Sequence, residues 1–109
     1  MRATAADRAR VAIVKKAVAG VFKVSVADID SPSRRRSLTQ PRWVAMLIVR
    51  KRLGLSARQI ARTFNRKDHK TVTHALACII DLSAQNPAIA LGISIATART
   101  EARLRQLPR

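Results

Sequence analysis

Cysteine is all but absent. Cys78 stands alone in 109 residues, so no internal disulfide can form and a reducing compartment suits the chain best. The same scarcity argues against a metal. One Cys and two His cannot complete a tetrahedral zinc site without carboxylates, and Asp and Glu together number only six. So few acids leave no specific paired carboxylates, and no activated nucleophile can be assembled, so the chain does not read as an enzyme and no cofactor is expected. No GxxxxGK phosphate loop occurs, and the chain is too short for an ATPase domain. Long apolar runs are missing as well. The longest, Trp43 to Val49, falls far short of the roughly 20 residues of a membrane span, and MRATAADRAR has no apolar stretch of signal-peptide length. A soluble cytoplasmic protein is expected. Aromatics are limited to Phe22, Trp43 and Phe64, so a core must be built from Val, Ile, Leu and Ala.

Basic charge is abundant. There are 22 Lys and Arg, giving a net +16 and a pI near 12. Solubility of a small domain needs only a net charge of about 2 to 8, so the excess suggests a polyanion partner: nucleic acid first, an anionic membrane surface second. The charge is unevenly placed. Ser31 to Lys70 holds 12 basic residues and one acid, Asp68.

Hydrophobic residues make up 48% of the chain, with three Gly and four Pro. That composition favours one folded, helical domain over residues 1–109. Thr4 or Asp7 can cap a first helix to about Phe22, with Val11, Val14, Ala17 or Val18, Val21 and Phe22 inward and Arg8, Lys15 and Lys16 elsewhere. Gly20 lies near its end, and Lys23 in the last turn suits the dipole. Ser25 starts a very short helix with Val26, Ala27 and Ile29 against the core. Pro32 ends regular structure, and Ser33-Arg34-Arg35-Arg36-Ser37 forms a basic loop. Three adjacent arginines repel one another unless an anion lies between them, so a phosphate or minor-groove role competes with a solvated charge run. Thr39 can cap a central helix with Pro41 in its first turn. Apolar all round from Trp43 to Val49, that helix ends in Arg50, Lys51 and Arg52, with Gly54 as its cap. After the Asn86-Pro87 break, a last helix runs from about Ala88 to Gln106, with Ile89, Ile93, Ala96 and Leu104 inward. Its end, Arg99 to Arg109, is expected to fray. No strand pair is signalled, so the fold class is all-α with about six helices.

Leu55 to Ile80 carries the functional pattern. Ser56 can cap a helix bearing Ile60, Ala61 and Phe64 on one face. Asn65, Arg66 and Lys67 make a polar turn, and Asn tolerates the left-handed conformation such turns need. Asp68 can cap a second helix with Val72, Ala75, Leu76, Ile79 and Ser83 along its buried stripe. His69, Lys70, Thr73 and His74 then face outward, with Thr71 at the edge. An apolar back and a donor-rich front, reached through a tight turn, describe a helix-turn-helix that reads the DNA major groove. Cys78, close to the apolar stripe, reads as core.

The segments VSVADI, the arginine loop, QPRWVAM, IARTF and KDHKTVTHA follow in a spacing that resembles the C-terminal DNA-binding domain of the bacterial replication initiator DnaA. The resemblance covers roughly Ile13 to Ile80, within a core of 11–83, and leaves 87–109 as an extra helix and tail. It implies binding to a short duplex site, the DnaA box, with Arg34 in the minor groove and Arg42 on the backbone. It further implies Asp68, His69 and Thr71 at the major groove, Lys67 just before them, and His74 at the place of a second histidine. Arg35, Arg36, Ser56, Arg66 and Lys70 complete the candidate DNA-binding set.

Lys70 stands where the family prefers a small hydroxyl residue. It can donate to guanine or to a phosphate, which puts the usual box sequence in doubt. Asn65-Arg66 replaces a common glycine pair, and Trp43 replaces a polar residue. The Met1 start and a basic helical extension favour a small stand-alone protein over an excised domain. The expected partner is double-stranded DNA, with replication-initiation proteins as a further class, no membrane, a cytoplasmic and nucleoid-associated location, and monomer or dimer left open. The expected role is occupancy of DnaA-box-like sites in replication initiation or transcription. Two readings compete with it: a non-specific architectural nucleic-acid binder, and a protein-interaction inhibitor of the replication machinery.

Overall fold

The structure, a computed structural model, describes residues 3–108; Met1, Arg2 and Arg109, the last of these in the tail expected to fray, lie outside them. The described residues form six helices and no strand: α1 (Ala5–Phe22), α2 (Val26–Asp30), α3 (Arg36–Ile48), α4 (Ala57–Thr63), α5 (His69–Gln85) and α6 (Pro87–Leu104). One π-helical turn, Val49–Leu53, extends α3.

Side chains local in sequence start most of these helices. Thr4 and Asp7 act together on α1: each accepts the other's backbone amide at 3.0 Å. Ser25 with Asp28, and Ser56 with Gln59, repeat the arrangement on α2 and α4. Asp68 caps α5, and Asn86 caps α6 with Pro87 as its first residue. The left-handed positions are Lys23 after α1, Gly54 after the π turn and Asn65 in the α4–α5 turn. Lys23 is therefore the residue that ends α1, rather than a member of its last turn.

Helix α3 departs from expectation. It begins at Arg36 and carries no side-chain cap, so Thr39 lies inside it and Pro41 sits beyond the first turn. The loss is one hydrogen bond to the Ser37 carbonyl, and Ser37 is exposed, so water can donate to that carbonyl in place of the missing amide.

Val11, Val14 and Val18 of α1, Val44 to Val49 of α3, and Ile60, Phe64, Val72, Ala75 and Ile79 of the helix-turn-helix form one core. The bend between α5 and α6 is 115°, which turns α6 back along α1. There Gly92 lies under the Phe22 ring, so close that a Cβ would sit 2.6 Å from a ring carbon. No single described helix is long and apolar enough to cross a membrane. Helix α6 stays regular through Arg99 and the buried Thr100 to Leu104.

Core assignments in α1 and α2 need correction. Val26 and Ala27 are exposed, and only Ile29 of α2 is buried. Lys15, expected off the core face, is buried: its ammonium contacts Asp30, donates to the Thr63 carbonyl and lies 4.5 Å from the centre of the Phe64 ring. A long cation can enter a core when its head group finds a carboxylate, a carbonyl and an aromatic face together.

Candidate nucleic-acid interface

Helices α4 and α5 pack against each other, with a short turn between them. The Phe64 amide bonds back to Ile60, Asn65 takes φ 56°, and the Arg66 amide donates to the Ala61 carbonyl at 2.8 Å. That turn fixes where α5 starts. Asp68 Oδ1 accepts the Lys70 amide at 2.8 Å and lies 3.7 Å from His69 Nδ1. Val72, Ala75 and Ile79 are buried, whereas Lys70, Thr71, Thr73 and His74 are exposed. The stripe divides α5 largely as the pattern required, although Leu76 and Ser83, expected within it, and His69, expected outward, are half-buried.

The start of α5 and the loop before α3 line one open cleft of about 1230 Å³. That is larger than the roughly 300–1,000 Å³ of small-molecule sites, and it runs along the surface. Among the candidate residues, Arg34, Arg36, Arg42, Arg66, Lys67, Asp68, Thr71 and His74 line it. Arg35, Ser56, His69 and Lys70 lie outside the lining. The exposed Ser56 hydroxyl accepts the Gln59 amide at 3.2 Å as the cap of α4. Arg36 belongs to the first turn of α3 rather than to the loop.

Arg42 differs most from its expected place. It is 5% exposed, and its guanidinium donates to the carbonyls of Ile29 at 2.7 Å, Ser33 at 3.0 Å, Ser31 at 2.8 Å and Asp28 at 3.2 Å. This is an internal clamp on the α2–α3 connection, not a side chain reaching outward to a DNA backbone. Arg66 joins it, donating to the same Ser31 carbonyl at 2.6 Å. Burial pushes both guanidinium pKa values down; the charge of Arg66 pushes Arg42 further, and Asp30 opposes both shifts. Arginine keeps its proton near neutrality regardless. The cleft thus gathers five cations, Arg34, Arg36, Arg42, Arg66 and Lys67, against the acids Asp68 and Asp81.

Trp43 and Cys78 also reach this wall. The Trp43 ring meets His74 edge to face with centroids 6.5 Å apart, and Cys78 Sγ lies 3.3 Å from His74 Nε2. Cys78 is therefore half-buried on the cleft side rather than in the core. The signal for Trp43 was available: it directly follows Arg42 on a helix whose next six residues are buried. Among the described residues, no three His, Cys, Asp or Glu side chains cluster to hold a metal ion.

The family model described as bacterial dnaA protein helix-turn-helix matches residues 11–79. The chromosomal replication initiator protein DnaA of Nitrosomonas eutropha is 41% identical over 76 residues, 70% of this chain and 17% of that protein. The DnaA of Bdellovibrio bacteriovorus is 39% identical over 80 residues, 73% of this chain and 17% of that protein. The chain thus spans about a sixth of the length of these relatives. A crystal structure of a DNA replication initiation factor superposes with a TM-score of 0.78 at 28% identity, covering 89% of this chain and 30% of that one. A replication initiator DnaA bound to AMPPCP and single-stranded DNA superposes at 0.72, also at 28% identity, covering 86% of this chain and 30% of that one.

Proposed function

The chain belongs to the bacterial DnaA helix-turn-helix family, and from that premise we propose that it binds double-stranded DNA in a sequence-specific way. Helix α5 enters the major groove, and the segment from Ser33 to Arg36 enters the neighbouring minor groove. Occupancy of DnaA-box-like sites then regulates replication initiation or transcription. What supports this most is the shared cleft, which brings Arg34 and the start of α5 onto one cationic surface.

Each side chain has a role its chemistry allows. Arg34 meets the enhanced negative potential of a narrow minor groove. Arg35, Arg36 and Lys67 neutralise phosphates, which sets register without reading sequence. Thr71 offers a methyl to thymine. Asp68 accepts from a cytosine amino group while it caps α5, and His69, Lys70 and His74 present donors to base edges or the flanking backbone. Arg42 supports the interface from behind.

A selection from randomised duplexes tests this reading. An enriched asymmetric motif is expected, and about six to ten neutralised phosphates would give a log–log salt slope of roughly −5 to −9. Equal affinity for unrelated duplexes at about 0.15 M salt would instead establish a non-specific architectural binder.

A further inference from the structure

Arg66 sits in the turn that launches α5, yet its guanidinium donates outside that helix, to the Ser31 carbonyl at 2.6 Å. Its backbone cannot drift, because Asn65 is left-handed and the Arg66 amide is bonded to Ala61. Its Nε is buried and has no hydrogen-bond partner among the described residues. Half-buried and bonded to a backbone carbonyl, the side chain is not free to sweep solvent for a phosphate. The Ser31 carbonyl also accepts Arg42 Nη2 at 2.8 Å, so the two guanidinium groups, one from α3 and one from the turn, use its two lone pairs.

Ser31 is three residues before Arg34, and the chain on either side of Arg34 is tied down at Ser33 and Arg35. Ser33 donates its amide to Ser31 Oγ at 3.4 Å, Arg42 Nη1 donates to the Ser33 carbonyl at 3.0 Å, and the Arg35 amide donates to Ser33 Oγ at 3.2 Å. A displacement at Ser31 is therefore carried to Arg34.

We propose that Arg66 is a positioning residue: acting through Ser31, it holds the arginine loop at a fixed offset from α5, so that the two grooves of one duplex are read by a single rigid surface. The inference rests on the two-groove reading above. The plain alternative is that Arg66 binds a phosphate directly, and the two make different demands on measurement. A phosphate contact contributes to the salt slope and acts independently of Arg34. A positioning residue leaves the slope alone and matters only while Arg34 is present to be positioned.

The experiment is a double-mutant cycle of Arg66→Met with Arg34→Ala in the full chain, on the best duplex from the randomised selection, with affinity measured over a range of salt. Backbone order at Ser33, Arg34 and Arg35 is read by ¹⁵N relaxation of the free proteins. On the positioning account, Arg66→Met weakens binding about tenfold, leaves the salt slope unchanged and raises loop mobility without DNA. Its effect shrinks to less than about twofold beside Arg34→Ala. Additive losses, a slope smaller by about one, or an unchanged loop would each overturn the proposal. Should Arg66→Met fail to fold, Arg66→Lys, which keeps the charge but not the guanidinium fork, takes its place in the same cycle. A wild-type chain that binds no duplex specifically would overturn the two-groove reading instead, while the loop measurement, made without DNA, still decides whether Arg66 positions the loop.

Discussion

Lys15 of α1 and Asp30 at the end of α2 meet at 2.6 Å inside the molecule, in an approach that misses hydrogen-bond geometry for the Asp30 oxygen. The contact ties together three elements, because the same ammonium donates to the Thr63 carbonyl at the end of α4. Breaking a buried pair leaves the partner charge without compensation, at a cost of about 3–5 kcal/mol. The Asp30 side chain keeps 29% of its exposure, so water softens the penalty. Lys15→Met should lower unfolding stability by roughly 2–3 kcal/mol, measured by urea denaturation. A change within about 0.5 kcal/mol would mean that the pair is held by solvent rather than by the fold.

Two helical glycines should respond to alanine with opposite signs. At Gly92 the new Cβ meets the Phe22 ring at 2.6 Å, with two further ring carbons at 3.1 and 3.3 Å. The α1–α6 contact must open, and overpacking of this kind costs about 1–3 kcal/mol. At Gly20 the nearest atom is Arg99 Nη1 at 3.5 Å, an ordinary contact. Alanine there gains about 0.5–1 kcal/mol of helix preference. Thermal melts of the two variants should bracket the wild type, Gly92→Ala below and Gly20→Ala above.

The start of α1 should be acid-sensitive. The Asp7 carboxyl is held below its ordinary 3.8, chiefly by the Thr4 amide that donates to it and next by the Thr4 side chain. Because the folded value is depressed, its contribution is fully present above the unfolded value and disappears as pH falls through the folded one. Amide shifts of the first turn of α1 should therefore move toward coil values only below about pH 4. Asp7→Asn should flatten that transition while leaving Ile79 and its core neighbours unmoved.

What could be read in the sequence was what is local. Thr4, Ser25, Ser56 and Asp68 announce helix starts because a cap and the amide it accepts lie within three residues. The valines at 11, 14 and 18 announce a face by their spacing alone. Lys15 and Arg42 were not legible, because their acceptors lie elsewhere in the chain and are largely backbone carbonyls, which carry no residue code. Pro41 misled for a related reason. A proline near a helix start usually marks the first turn, but an exposed Ser37 carbonyl lets α3 begin five residues earlier. The cationic cleft was foreseeable from charge; that Arg42 and Arg66 face inward within it was not.

Lys70 sets the last expectation. Its structural contribution is its amide, which completes the Asp68 cap at 2.8 Å, while its side chain is exposed on the first turn of α5. Any residue with a backbone amide can keep that cap, so Lys70→Thr should leave stability within about 0.5 kcal/mol. Its effect belongs to recognition. If the ammonium donates to guanine O6 or N7, replacing it changes the preferred base at one or two adjacent positions, with discrimination of about 1–3 kcal/mol per pair. Contacts elsewhere and the salt slope would be kept. If the ammonium instead lies on a phosphate, the selected motif stays the same and the slope falls by about one. We expect the first outcome, because Lys70, although outside the cleft lining, is exposed on the first turn of the helix proposed to enter the major groove. Parallel selections with wild type and Lys70→Thr on one randomised library decide it, and an unchanged motif would remove Lys70 from base readout.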